Sequence, residues 1–270
     1  MDVLLPEEIL ATSPSRRDGI NQEDEMKHRC FGCELVQEAN ILLRLPQVAA
    51  VTGQNILHRF YYRKSLKRFD AFTVAMGCVL LASKIEECPK LLREVLYVFH
   101  HMYQMRKVLK YRPLEIGGQR YAIWKNELIS TERYILKELG FSLYNISEHP
   151  HKYILYFVKA LGGDAELSQI AWNYLNDSMR LDLCLRYKAS SISCAALYMA
   201  ARKMKFPLPD ENIWLAAFGT DIETVTKISN AILSLYHMPK VQWLEPIAEV
   251  EHLAQVVCAT YDEPRQIGDR

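Results

Sequence analysis

Apolar and polar positions alternate with a helical period along most of the chain, and one stretch departs from that period. From 71 to 82 (AFTVAMGCVLLA) every residue except Thr73 is apolar or small, so a helix here has no polar face. A helix that is apolar all round is buried all round. The run is too short to cross a bilayer, so it belongs inside a protein core. Ala75, Gly77, Cys78 and Ala82 are small enough to let neighbouring helices come close. Lys84, Glu86 and Glu87 then end the run, and Pro89 stops the helix.

A second copy of this helix lies in the other half of the chain. ISCAALYMAAR (192–202) sets against VAMGCVLLASK (74–84), with Met199 at the place of Leu81, Ala200 at Ala82 and Arg202 at Lys84. Prolines follow each copy, Pro89 in the first and Pro207 and Pro209 in the second. The repeat predicts two similar all-α domains in tandem, and 270 residues suit two domains.

Other helices surround each copy. Leu35, Ala39, Leu42 and Leu43 share a face before Pro46, and Val48, Val51, Ile56, Leu57 and Phe60 lie on a helix over 47–62. Leu92, Val95, Leu96 and Phe99 predict a helix over 91–103, followed by a basic linker with Arg106, Lys107, Lys110 and Arg112. The helix over 121–139 ends at Gly140, a good C-cap. Its apolar stripe is Trp124, Leu128, Ile135, Leu136 and Leu139, and Glu132 falls within it. A carboxylate in an apolar face is costly to bury unpaired, so Glu132 needs a partner or a place at the rim. The second half starts near His149-Pro150 and reads as helices over 151–161, 165–182, 189–204, 212–218 and 221–238, the last capped by Asp221. No β-strand run competes.

Composition narrows the function. Half the residues are hydrophobic and the net charge is +1, which gives no general attraction to nucleic acid or an anionic membrane. Seven scattered cysteines, an odd number, predict reduced intracellular thiols. The opening MDVLLPEEIL has acidic residues where a signal peptide needs basic ones. Cys30-x-x-Cys33 has zinc or redox spacing, but no second pair completes the four ligands of a structural zinc site. A buried thiol pair is the default. The chain has no Gly-rich phosphate loop, G-x-S-x-G or H-E-x-x-H, and adjacent Glu86 and Glu87 point to different sides of a helix. An enzyme, a metal and a cofactor are not expected. Ser13-Pro14 has the form of a proline-directed phosphorylation site but reads as a loop turn. The cluster Arg59, Arg63, Lys64, Lys67 and Arg68, interleaved with Phe60, Tyr61, Tyr62 and Phe69, has the form of a nucleic-acid surface, but with a net charge near zero it reads as a solvated helix end with aromatic packing.

A tandem helical pair whose central helix ends in LLASKIEECPK resembles the cyclin box. GCELVQEANILLRLPQVAAVTGQNILHRFYYRKSL, REVLYVFHHMYQ, ERYILKELGFSLYNISEHPHKYI, AWNYLNDSMRLDL and KFPLP together look like the L-type cyclins, and so does LLPEEILATSPSRRDGI before them. The resemblance covers about residues 4–245. It implies an N-terminal extension (1–30), a first cyclin box (31–146), a second (147–245) and a tail (246–270). Each box holds about five helices around a buried central one.

By the same resemblance the chain is an activating regulatory subunit. It would form a heterodimer with a cyclin-dependent protein kinase, act in transcription and pre-mRNA processing, and work in the nucleus. No membrane contact or direct nucleic-acid binding is expected. Cyclins hold the mobile helix of the kinase small lobe, whose glutamate must pair with the ATP-anchoring lysine before phosphoryl transfer. The family's kinase-contacting lysine falls on Lys84 and its glutamate on Glu132, with Leu81, Leu136, Phe141 and Leu143 as the apolar surround. The other meaning of these charges is an internal ion pair, Lys84–Glu132 or Lys84–Glu87, with no role toward a partner. Two departures stand out. His58 replaces the aspartate that cell-cycle cyclins place before Arg-Phe, and the first helix has no apolar MRAIL-like patch. L-type cyclins carry an Arg/Ser-rich stretch after the boxes, and these 270 residues contain none. The alternative function is a nucleic-acid-binding cyclin-fold transcription initiation factor, a class that pairs the repeat with a zinc ribbon and a basic surface.

Overall fold

The computed structural model describes residues 4–141, 148–239 and 241–247, and every regular element in them is helical. In chain order these are α1 (Glu7–Ala11), α2 (Pro14–Arg17), α3 (Gln22–Leu42), α4 (Gln47–Tyr61), α5 (Ala71–Ile85), α6 (Leu92–Arg106) and α7 (Gln119–Glu138). The second half contributes α8 (His151–Ala160), α9 (Ala165–Ser178), α10 (Leu183–Arg186), α11 (Ala189–Met204), α12 (Glu211–Ala217) and α13 (Ile222–His237).

α5 is the axis of the first half, buried from Ala71 to Ser83. Asp70 caps it, accepting hydrogen bonds from the amides of Phe72 and Thr73, both at 3.1 Å. α3, α4, α6 and α7 pack around it. At Gly77 a Cβ would lie 2.8 Å from Thr131 Cγ2, so only glycine lets α7 come this near. α11 holds the matching place in the second half, packed by α8, α9 and α13. Each central helix has its own hydrophobic core, the first lined by Phe60, Phe72, Phe99 and Trp124, the second by Leu175, Leu197, Trp214 and Ile228.

Buried polar contacts join the halves. Arg29 on α3 reaches Asp182 at 3.4 Å and lies over the Tyr62 ring, while the Tyr62 hydroxyl donates to Asp182 and Arg186 binds Asp182 at 2.8 Å. Arg180 pairs with Glu34. His58 Nε2 contacts the Met179 carbonyl at 3.1 Å and the Cys33 sulfur at 3.3 Å. Thr52 on α4 contacts His149 Nε2 at 2.9 Å, and Gln47 on α4 donates at 3.0 Å to the Asn176 side-chain oxygen on α9, which also contacts His151 Nε2 at 2.9 Å.

These histidines couple the fold to pH. Burial pushes His58 and His151 down to about 4, and burial also lowers His149 against the opposing pull of Glu86. In the unfolded chain each titrates near 6.5, so the unfolded state binds more protons below that value. Their contribution is fully present above about pH 6.5 and is lost as pH falls toward 4. Thermal denaturation at a series of pH values should show the melting temperature falling through this window. His58→Gln should flatten part of the fall.

Both ends of the described chain are tied down, the first at this junction and the second on the core of the first half. Leu5 N–H donates to the Leu185 carbonyl at 2.9 Å, and Leu10 packs with Tyr62 and Leu185. After α13 the chain returns to the first half, where Trp243 meets the rings of Phe31, Phe72 and Tyr103 at centroid distances of 5.6, 5.6 and 5.1 Å. Lys107 lies over the Trp243 ring and pairs with Glu245 at 2.9 Å. Trp243→Ala should lower stability by about 2 kcal/mol in urea titration, less than a fully buried tryptophan because the ring is half-buried.

The helix expected over 165–182 stops at Ser178 and resumes as α10. The Met179 and Arg180 carbonyls are taken by His58 and by the Cys30 thiol, contacts with residues far earlier in the chain. Leu42 and Val48, expected inward, are exposed at 44% and 40%. Ser13 caps α2 and is fully buried, so Ser13-Pro14 is a helix start closed to a kinase.

Candidate partner-binding site

The site forms where α5 surfaces. Its last turn is locked by local bonds: Cys88 N–H donates to the Ser83 carbonyl at 2.9 Å, and the Ser83 hydroxyl donates to the Leu80 carbonyl at 2.8 Å. Glu87 takes a left-handed backbone, φ 53°, to turn the chain away. Lys84 therefore leaves a rigid helix end, and Pro89 follows it.

α7 brings the second charge. Thr131 and Ile135 pack on Gly77, which sets the neighbouring Glu132 at the edge of the core. Lys84 Nζ donates to Glu132 Oε1, with the lysine side chain 49% exposed and the glutamate 16%. The partner and the rim position that Glu132 needed are both present. The pair expected for a kinase contact is therefore closed on itself in the free chain.

Its surroundings differ from the expected apolar ring. Leu81 is 3% exposed and belongs to the core, so it forms the floor beneath Lys84 and offers no surface. Leu136 is half-buried on α7. Phe141 is 68% exposed, projected from the chain just past α7 by a left-handed backbone, φ 57°. Leu143 lies outside the described residues. Ile129, which the helical stripe passes over, is 46% exposed and shares a face with Glu132 and Leu136. Its sequence signal is a large aliphatic residue outside the inward stripe.

Glu86 faces inward to the junction, accepting from the Thr52 hydroxyl at 2.5 Å with His149 Nε2 at 3.7 Å. The end of α5 that carries Lys84 is thus joined to the contact between halves through Glu86.

The other candidate chemistry resolves into structure. Cys30 and Cys33 are buried free thiols, with burial pushing Cys30 up to about 11. Among the described residues no group of three or more His, Cys, Asp or Glu could hold a metal ion. In the basic cluster Phe60 and Tyr61 are fully buried, Tyr62 and Phe69 face the interior, Arg63 donates to the Glu138 carbonyl, and Lys64 pairs with Glu138 at 3.0 Å. No described helix is long and apolar enough to cross a membrane.

Known proteins place this architecture. The family described as "Cyclin, N-terminal domain" matches residues 3–144. The chain is 43% identical over 240 residues to Cyclin-L1-1 of Arabidopsis thaliana, covering 89% of this chain and 57% of that protein. It is 44% identical over 255 residues to human Cyclin-L1, covering 93% and 48% respectively. It thus spans about half the length of the curated relatives it matches. Among solved structures, a chain of the yeast RNA Pol II CTD kinase CTDK-1 complex superposes with a TM-score of 0.70 at 18% identity, covering 97% of this chain and 84% of that one. A chain of the Chaetomium thermophilum CAK complex bound to ATP-gamma-S superposes at 0.61 and 15% identity, covering 80% and 65%. With a central helix of the LLASKIEE kind in a matched N-terminal domain, a second helical half behind it and L-type relatives across both, the chain belongs to the cyclin family.

Proposed function

We propose that this cyclin is the activating regulatory subunit of a cyclin-dependent protein kinase acting in transcription and pre-mRNA processing in the nucleus. The two boxes, 31–146 and 147–245, form its body. The observation that carries this reading is the Lys84–Glu132 pair, held between the last turn of α5 and the body of α7, with exposed Ile129 on the same helix as Glu132 and exposed Phe141 just past its end. A lysine and a glutamate side by side can bind a backbone carbonyl and a backbone N–H at the end of one incoming helix. The apolar residues around them exclude water, which gives such a contact its value. Kinase binding then opens the internal pair and gives each charge a new partner. The phosphoryl-transfer residues, Mg²⁺ and ATP belong to the kinase.

The names of the relatives and of the superposing complexes support the kinase partner and the link to transcription. The nucleic-acid alternative gains nothing from the 59–69 cluster, whose aromatic rings are turned inward. The test is capture of purified cyclin-dependent kinases by the full chain, with peptide phosphorylation measured on the captured complex. Retention of one kinase with a gain in its activity is the expected result. No retention of any of them, with salt-sensitive binding of duplex DNA instead, would overturn the reading.

A further inference from the structure

The outer face of α6 and the loop after it stay uncovered, and their residues are not those of an idle surface. Tyr97, His101 and Met105 fall on one ridge of α6, and Tyr111 leans against His101 at a centroid distance of 6.4 Å. Met105, Val108, Tyr111 and Ile116 are 61%, 77%, 66% and 67% exposed. Such a concentration of large apolar side chains is informative where single ones are not.

The loop is built to hold this face in place. Gln104, 1% exposed, donates from its amide nitrogen to the Arg112 carbonyl at 2.9 Å, and its amide oxygen accepts from Arg112 N–H at 3.4 Å. Leu109 and Leu114 turn inward onto the first core. Val108 is the telling residue. It sits just past the end of α6 with φ 54°, and its N–H and that of Leu109 close the helix on Met105 and Gln104. Glycine is the default at such a position, and a β-branched residue there is strained. A strained, exposed valine serves neither the cap nor the core.

The charge along the end of α6 and the loop is mainly positive. Between 105 and 120 the cations are Arg106, Lys107, Lys110, Arg112 and Arg120, and the one carboxylate is Glu115. Arg106 and Lys107 are held by Glu38 and Glu245. Lys110 and Arg112 are exposed, and no described carboxylate pairs with either.

We infer that the α6 ridge and the 107–116 loop form a docking surface, separate from the Lys84–Glu132 site, for an acidic protein segment carrying aliphatic or aromatic side chains. Carboxylates of the segment meet Lys110 and Arg112, and its apolar side chains cover Met105, Val108, Tyr111 and Ile116. A protein fits better than a nucleic acid here. Single-strand binding uses rows of aromatic rings for base stacking, whereas three of these four side chains are Met, Val and Ile.

The test uses the full chain and a fluorescein-labelled synthetic peptide in which Glu and Asp alternate with Phe and Leu. Fluorescence anisotropy should show saturable binding, weakened at least about tenfold by Lys110→Glu with Arg112→Glu and also weakened by Tyr111→Asp. Val108→Gly should weaken binding while the melting temperature holds or rises, which a structural role for the valine does not allow. Kinase capture should be unchanged in every variant. The inference falls if binding is not saturable, if a peptide with Gln and Asn in place of the acids binds equally, or if the charge-reversed variant binds as well as wild type. It also falls if a uridine oligonucleotide binds in preference, or if the variants lose the kinase.

Discussion

Asp182→Ala should destabilise the protein by about 3–5 kcal/mol, the loss expected when one partner of a buried charge network is removed. Asp182 receives Arg186, Arg29 and the Tyr62 hydroxyl together. Arg29 is almost wholly enclosed, and two of its guanidinium nitrogens, Nε and Nη1, already have no partner. Removing the carboxylate leaves this cation in the protein interior without its main counter-charge, with only the Glu25 carboxylate, itself paired with Arg16, still acting on it. Urea denaturation measures the loss directly. Replacing both residues, Arg29→Met with Asp182→Leu, should recover much of it, because a well-packed apolar pair can match a buried ion pair. A cost below about 1 kcal/mol for Asp182→Ala would mean the network is solvated and does not hold the halves together.

The same network predicts a second acid transition. Burial alone would raise the Asp182 carboxyl, but the hydrogen bond from Arg186 and the charges of Arg29 and Arg186 prevail and hold it well below the usual carboxylate range. Its contribution is present above the unfolded carboxylate value of about 4 and is lost as pH falls below it. The histidines of the junction therefore weaken the fold first and Asp182 later.

Lys84→Glu should weaken kinase binding at least ~30-fold, the effect of losing a contact worth about 2 kcal/mol at the centre of an interface. Stability should change by less than about 1 kcal/mol. The lysine is half exposed, and surface ion pairs contribute ~0–1 kcal/mol. Calorimetric titration with the kinase and urea denaturation of the same preparation separate the two effects. A large stability loss with intact kinase affinity would make the pair a structural one.

Much of this site was legible in the sequence because its physics is local. The all-apolar run with its abrupt polar end marks a buried helix that surfaces at Lys84, and a carboxylate inside an apolar stripe marks Glu132. What sequence reasoning lacked was the distance between them. The close approach at Gly77 that lets Lys84 and Glu132 meet depends on packing between residues far apart in the chain. Leu81 misled for the same reason: a leucine one turn from a surface lysine can face either way, and here it faces the core. The stop at Ser178 and the return of Trp243 to the first half were not readable at all. Both follow from long-range partners, His58 and Cys30 for the first and Phe31, Phe72 and Tyr103 for the second. His58 was noticed only as a departure from the cell-cycle pattern, and the structure gives it a buried contact between the halves.

The most direct measurement compares kinase affinity among wild type, Lys84→Glu, Glu132→Lys and the charge-swapped double variant. The swap rebuilds the internal ion pair with its ends reversed, so folding and stability should be close to wild type. A kinase helix end that meets the lysine with a carbonyl and the glutamate with an N–H would face the wrong charge at both points. The account predicts that the double variant folds normally and binds the kinase no better than either single variant. Restoration of kinase binding by the swap would contradict it, and would show that Lys84 and Glu132 serve only each other.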